Sequence, residues 1–215
     1  MARIDGKYFT GTIGNLVLVK IGNKQYVRSK PEPSKKPASE KQKCQRLRMK
    51  LASSFLSNFK DVIRVSYRKR SQTIAKAICS ARSHVIMDAI GGEYPNLYID
   101  CSKVRMSIRD DTTFGVDAVW YDGLHLTVNV DVEHNSIRDG YLVILRYGTA
   151  GGDISDMVKL RHREEGAQSD WQPYSIKWNN CMDAEEIHFW AMIYDPLHEK
   201  YSRSCYFSFY LAPEY

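Results

Sequence analysis

The spacing of hydrophobic and polar residues changes twice along the chain, and each change predicts a different kind of structure. Residues 15–21 form a run rich in aliphatic residues, Gly22-Asn23 supplies two residues that tolerate the positive φ of a tight turn, and residues 24–28 return as a second strand. We therefore expect a β-hairpin over residues 11–28. Because an isolated hairpin is only marginally stable in water, it needs a partner from the same chain or from another.

Residues 29–38 predict an extended arm. Three prolines in this stretch bar a helix and favour polyproline-like geometry, and three lysines make it basic. Two interpretations stay open, namely a solvated linker and an arm that lies along a partner molecule.

The pattern then becomes helical. Ser39, followed three residues later by Gln42, forms a capping box that predicts a helix start. Apolar residues from Leu47 to Ile63 recur mainly at spacings of three and four, which gives the helix one apolar face. A second helix is expected from about residue 72 to residue 89, and Gly91-Gly92 would end it.

From residue 93 the period becomes that of strands. Asp122-Gly123 between two strand-like runs is a strong hairpin signal. Seven or eight short strands without an intervening helix predict an immunoglobulin-like antiparallel β-sandwich, with Trp120 and Trp190 in its core. The predicted class is therefore α+β, with a basic region of hairpin, arm and two helices over residues 1–92 and an acidic sandwich over residues 93–215.

Charge divides the chain along the same line. Residues 1–90 contain 20 Lys and Arg against 5 Asp and Glu, a net charge of +15, whereas residues 91–215 contain 11 against 20, a net charge of −9. Such a polarised molecule attracts a polyanion to one end, or the opposite end of a neighbouring copy.

The basic residues of the arm and helices are the candidate partner-binding residues. If six to ten of them met phosphates, binding would fall steeply with salt. Aromatic residues are sparse among them, so recognition by base stacking is not expected. The alternative is a solvated helix face. The candidates are Lys30, Lys35, Lys36, Lys41, Lys43, Arg46, Arg48, Lys50, Arg68, Lys69 and Arg70.

Other sequence features limit the location and the chemistry. The chain has no window of about 18 apolar residues and no apolar N-terminal stretch, and its five cysteines are scattered, which predicts free thiols in a reducing compartment. We expect a cytoplasmic protein, or a virion protein if the gene is phage-encoded, without membrane contact.

No catalytic motif or metal-ligand spacing is present. His125 and His188 fall inside predicted strands, where we expect them to be surface or core side chains rather than metal ligands or catalytic bases. Gly151-Gly152-Asp153 predicts a turn rather than a phosphate-binding loop. The sequence thus predicts a protein that is not an enzyme and that needs no cofactor or metal.

One segment carries a family resemblance. Tyr94 to Val104, with Pro95, Ile99-Asp100 and Ser102-Lys103-Val104, resembles the signature of an uncharacterised family of short Bacteroidota proteins. The hairpin, Ser29-Lys30-Pro31 and the helix start with Gln42, Gln45 and Arg46 also resemble family features, as do the strands near Trp120, residues 141–146 and residues 188–194. The family usually has Asn in place of Lys36 and a more neutral helix. The resemblance implies the same architecture and no known activity.

Three functional hypotheses follow from these features. The first is a structural assembly protein, such as a component of a phage-like virion or another repeating complex, that self-associates or joins a larger assembly through its basic region. The second is an accessory protein that binds nucleic acid without reading its sequence. The third is a sandwich that binds a ligand or glycan through exposed residues such as Trp171 and Trp178, although a sandwich fold alone supports no function.

Overall fold

The computed structural model describes most of the chain, and its residues fall into two compact units. The units are Met1–Glu40 and Lys41–Tyr215. The predicted boundary after residue 92 follows charge and periodicity rather than compactness, and it stays a prediction. The described residues are 3–5, 7–32, 36–69, 73–108, 116–122, 125–131, 140–148, 151–155, 157–160, 171–178 and 186–210, with residues 3–5, 118, 119, 131, 171 and 172 described as backbone only.

The first unit contains an antiparallel sheet whose four strands lie in chain order. These are β1 (Arg3–Asp5), β2 (Tyr8–Ile13), β3 (Leu16–Ile21) and β4 (Lys24–Ser29). The predicted hairpin is confirmed as β3 and β4, because Ile21 pairs with Lys24 across Gly22-Asn23. Gly22 has a φ of 61°, which glycine adopts without steric cost. Of the predicted arm, residues 33–35 lie outside the described residues.

The second unit begins with helices. They are α1 (Glu40–Ser57), α2 (Lys60–Ser66) and α3 (Ile74–His84), and a π-helical turn (Val85–Ala89) extends α3. The start after Ser39 and the end before Gly91 agree with the predictions. The single helix expected through Ile63 is instead interrupted at Asn58-Phe59, where the Asn58 side-chain amide donates to the Phe55 carbonyl at 3.1 Å. The Phe55 carbonyl, in the last turn of α1, thereby has a hydrogen-bond partner at the break.

Strands follow the helices. The short pair β5 (Ile90–Gly91) and β6 (Tyr98–Ile99) precedes a three-stranded sheet of order β12-β8-β7 and a six-stranded sheet built on β9 and β13. β10 and β11 pair with β9, while β14 and β15 pair with β13. The strands are β7 (Val116–Tyr121), β8 (His125–Asp131), β9 (Tyr141–Gly148), β10 (Gly151–Ile154), β11 (Val158–Lys159), β12 (Trp171–Lys177), β13 (Glu186–Asp195), β14 (Lys200–Tyr201) and β15 (Cys205–Tyr210).

The three-stranded and six-stranded sheets share one hydrophobic core. Leu126, Val128 and Val130 of β8 join even-numbered residues of β9, such as Leu142 and Ile144, in a single buried cluster. Because side chains alternate across a strand, one set of residues from each strand faces this cluster. The α+β class is therefore confirmed, and the core that the two sheets share agrees with the predicted sandwich, which itself stays a prediction. The specifically immunoglobulin-like topology stays a prediction.

The opposite face of the six-stranded sheet is covered by the helices. Phe55 and Phe59 belong to the same buried cluster as Val143, Leu145 and Trp190. The Phe55 and Trp190 rings meet edge to face, 5.8 Å between centroids. Both faces of β9 and β13 are thus buried, which explains why Leu142 to Arg146 and Ile187 to Ile193 contain almost continuous buried side chains.

Two local predictions are wrong. Trp120 is 51% exposed rather than in the core, since the β7–β8 register shifts between Ala118 and Trp120 and turns the ring outward, whereas Trp190 is fully buried as predicted. Gly151-Gly152-Asp153 is strand rather than turn. Glycine is required there because a Cβ on Gly152 would overlap the Phe59 ring. The predicted Asp122-Gly123 turn includes Gly123, which lies outside the described residues.

Candidate partner-binding surface

Five of the predicted partner-binding residues lie in the first three turns of α1. Glu40 is the only acidic residue of this helix. Four of the five basic side chains are exposed, namely Lys41, Lys43, Arg46 and Lys50. Like charges at helical spacing repel one another, so an anionic partner would relieve a cost that the free helix bears.

The basic half of α1 contributes no buried side chain to the second unit. The buried residues of α1 are Ala52, Phe55 and Leu56, all in its C-terminal half. Within residues 40–50, Cys44, Leu47 and Arg48 are half-buried and the rest are exposed. The helix is therefore anchored at one end, and its charged end is accessible.

Arg48 differs from the other four. It lies four and seven residues before Ala52 and Phe55, so it occupies the same side of the helix as these core residues. Its Nε atom is buried and has no hydrogen-bond partner among the described residues. The aliphatic part of the Arg48 side chain thus packs against the second unit, and the side chain does not point wholly to solvent.

The remaining predicted residues are divided between the two units. Lys30 and Lys36 are exposed in the first unit, and Lys36 takes part in a polar interaction. Arg68 and Lys69 are exposed directly after α2. Lys35 and Arg70 lie outside the described residues. The structure therefore brings together the α1 residues on one element, while the arm residues belong to a separate unit.

The sheet of the first unit has no buried core. None of residues 7–32 is buried. The strand register places Ile13 and Leu16 opposite each other on one face, and Val19 and Tyr26 opposite each other on the other. Ile21 is 64% exposed. Large hydrophobic side chains are exposed at Phe9, Ile13, Leu16, Ile21, Tyr26 and Val27.

A polar cluster on β13 and β15 was not foreseen from the sequence. His188 Nδ1 lies 2.9 Å from the Tyr206 hydroxyl and 3.7 Å from the Glu186 carboxylate. Burial lowers the pKa of His188, although the neighbouring Glu186 opposes the shift. Glu186 and His188 are two residues apart, which could have indicated that they share a strand face. The contact between His188 and Tyr206 is long-range and could not be predicted in this way.

Cys101 is not placed to act as a nucleophile. Cys101 is buried, and desolvation raises the pKa of its thiol to about 12, so the group stays protonated at neutral pH. Among the described residues, His, Cys, Asp and Glu form no group of three that could hold a metal ion. None of the helices within the described ranges has the length and hydropathy of a membrane span.

Comparison with protein families decides where the chain belongs. A model of a family of unknown function matches residues 8–136, more than half of the chain. The chain belongs to the DUF6266 family. No curated protein and no solved structure matches it. DUF6266 membership agrees with the predicted resemblance to a family of unknown function, while the restriction to Bacteroidota stays a prediction.

In this DUF6266 member the segment 94–104 connects the helical layer to the sheet. The Trp190 indole nitrogen donates to the Val104 carbonyl at 3.1 Å. Lys103 lies 2.8 Å from the Asp100 carboxylate, and its hydrogen bond, followed by that of Ser102, lowers the pKa of Asp100. These contacts give the segment a structural role in the fold.

Proposed function

We propose that this DUF6266 protein is a non-enzymatic assembly protein, such as a component of a phage-like virion or another repeating complex. Its first unit and the basic half of α1 contact acidic surfaces of neighbouring molecules. Contacts of this head-to-tail kind close into rings or propagate as filaments.

The proposal depends on one observation, the absence of any buried residue in the sheet of residues 7–32. Burial of apolar surface is the main source of folding free energy, so a sheet without it needs stabilisation from outside itself. Exposed apolar side chains on both faces, including Ile21 and Val27, are the surface that a neighbour would cover.

Charge favours an acidic partner surface. Between Lys7 and Lys30 the first unit contains five basic residues and no acidic one, and four exposed basic side chains follow on α1. The chain's own residues 91–215, at −9, provide complementary charge on a neighbouring copy.

The test is particle mass by light scattering across a salt series. We expect assemblies at low salt that dissociate as salt rises, because exposed charge pairs are screened. Reversing Lys41, Lys43, Arg46 and Lys50 to Glu should abolish assembly. Reversing Lys60 and Lys76, exposed lysines outside the first unit, α1 and residues 91–215, is the control and should leave assembly in place, whereas reversing Lys41 and Lys43 alone, with the same change in net charge, should weaken it. A concentrated wild-type protein that is monomeric at low salt would overturn the proposal.

The second candidate is a nucleic-acid-binding protein that uses the same four α1 residues. The exposure of these four side chains favours this candidate, and so does the absence of acidic residues after Glu40 within α1. In a gel-shift series, the fourfold Glu variant should lose duplex binding that the wild type shows at low salt. Equal retention of DNA by this variant and the wild type would exclude the candidate.

The glycan-binding hypothesis receives less support. Trp178 is only 2% exposed, so it is a core residue and not a stacking platform. The side chain of Trp171 lies outside the described residues.

A further inference from the structure

The strand β15 forms an edge of the six-stranded sheet. Within the described ranges, β13 is the strand with which it pairs. Every side chain of β15 is half-buried or exposed, up to Tyr210 at 75%, whereas Phe189 and Trp190 on the adjacent β13 are fully buried. This gradient is expected at a sheet edge, where backbone N–H and C=O groups face outward.

Within the described residues, β15 itself carries none of the sequence features that guard an exposed edge. Natural proteins protect edges with charged side chains, proline or bulges. The sequence Cys205-Tyr206-Phe207-Ser208-Phe209-Tyr210 contains no charge and no proline, and its pairing with β13 is regular over all six residues. By contrast, the edge strand β4 carries Lys24 and Arg28. An unguarded aromatic edge is an aggregation hazard unless a partner occupies it.

The sequence of the strand indicates which partner fits. The sequence of residues 206–210, Tyr-Phe-Ser-Phe-Tyr, reads the same from either end, with Ser208 at its centre. When two copies pair antiparallel about this residue, each Tyr206 faces a Tyr210, each Phe207 faces a Phe209, and Ser208 faces Ser208. Identical strands paired in this way are related by a twofold axis, the commonest symmetry of homodimers.

We propose that β15 pairs with β15 of a second copy, which joins the two six-stranded sheets into one continuous sheet across a twofold axis. The aromatic pairs that form are of the stabilising cross-strand type. Stacked rings of Phe189 and Phe207, 5.4 Å between centroids, already connect β13 and β15 within the chain. Since β15 has no charged side chain, the pairing brings no like charges together on this strand, even in a protein of net charge +6.

This interface is independent of the basic surface in the proposed function. The interface consists of apolar contacts and backbone hydrogen bonds, so it persists at about 1 M salt. At this concentration the Debye length is about 3 Å and contacts between exposed charges are screened. Experiments at this salt concentration therefore separate the two proposals.

Sedimentation equilibrium of the full chain at about 1 M salt provides the test. The wild type should show a reversible monomer–dimer equilibrium. Ser208→Lys and Ser208→Glu are compared at about 0.1 M salt, where charges still interact, in the variant whose Lys41, Lys43, Arg46 and Lys50 are Glu and whose basic surface no longer assembles. Each should raise the dissociation constant by roughly 100-fold, because two like charges meet at the axis. An equimolar mixture of the two variants should restore dimers, because Lys then faces Glu.

Ser175→Lys and Ser175→Glu are the matched controls, since Ser175 is an exposed serine on the edge strand β12 and these variants should dimerise as the wild type does. If the Ser208 variants fail to fold by circular dichroism, Tyr210→Lys takes their place, because this side chain is largely exposed and faces Tyr206 of the second copy. A wild type that stays monomeric, a Ser208→Lys protein that dimerises normally, or a mixture that stays monomeric would each overturn the proposal.

Discussion

Gly152 shows how one residue fixes the contact between the helical layer and the sheet. A Cβ added here would overlap the Phe59 ring and lie 2.8 Å from the Cβ of Asn58, both at the break between α1 and α2. Because Phe59 is fully buried, its ring has little freedom to withdraw.

We therefore predict that Gly152→Ala lowers the free energy of unfolding by about 1–3 kcal/mol, the usual cost of overpacking, and that Gly152→Val lowers it further. Urea denaturation measures the change. Ser175→Ala, on an exposed strand position, is the control and should stay within about 0.5 kcal/mol of the wild type. Equal stability of both alanine variants would contradict the close packing seen at Gly152.

His188 makes stability depend on pH in a defined direction. Its pKa is lowered in the folded protein by burial, so between that value and 6.5 the unfolded state binds more protons than the folded state. The contribution of His188 to stability is complete above pH 6.5 and declines as the pH falls below it.

The expected result is that His188→Gln is less sensitive to acid than the wild type. Denaturation midpoints compared at about pH 7.5 and pH 5 should differ less in the variant, because it has no imidazole to protonate. His125→Gln, which changes a more exposed histidine, serves as the comparison. A variant whose acid sensitivity matches that of the wild type would assign the pH dependence to other groups.

At the scale of elements, α1 combines two surfaces with different requirements. Ala52, Phe55 and Leu56 anchor it in the core, while Arg48 on the same side keeps a buried Nε without a partner among the described residues. A buried donor without a hydrogen bond costs about 1–3 kcal/mol.

Replacing this donor should therefore stabilise the second unit. We expect Arg48→Met to raise the free energy of unfolding by roughly 1 kcal/mol, because methionine fills the space of the arginine stem without a polar group. Arg46→Met, at an exposed position of the same helix, should have little effect on stability. A destabilised Arg48→Met protein would show that the guanidinium makes a favourable contact.

The elements that the sequence predicts correctly are those with local signals. Gly22-Asn23 and Ser39 mark a turn and a helix start through their own local preferences, whereas the helix ends at Ala89 with Ile90 extended rather than through a cap at Gly91. The exposed lysines of α1 were also predictable from helical spacing. The exposure of Trp120 depends on a register shift within the β7–β8 pair, which a local pattern does not show. The packing of Gly152 against Phe59 and the contact of His188 with Tyr206 join residues that are distant in the sequence, so they were not predictable either.

At the scale of the whole molecule, the two units differ in how they are stabilised. The second unit has two buried clusters, one on each face of the six-stranded sheet, whereas no residue among 7–32 in the first unit is buried. The second unit therefore has the apolar burial to fold by itself, and in our proposal the first unit contributes surface for intermolecular contact.

Deletion of residues 1–38 separates these two roles. The free energy of unfolding of the truncated chain should lie within about 0.5 kcal/mol of that of the full chain, because the core residues all lie after the cut. Light scattering at low salt should show that it no longer assembles, since the first unit is absent while α1 and its four exposed basic residues are retained. If the truncated protein assembles as the full chain does, α1 is sufficient for assembly and the exposed apolar sheet serves another purpose. If its stability collapses, the first unit instead belongs to the fold of its own chain, and its hydrophobic surface is then not available to a neighbour.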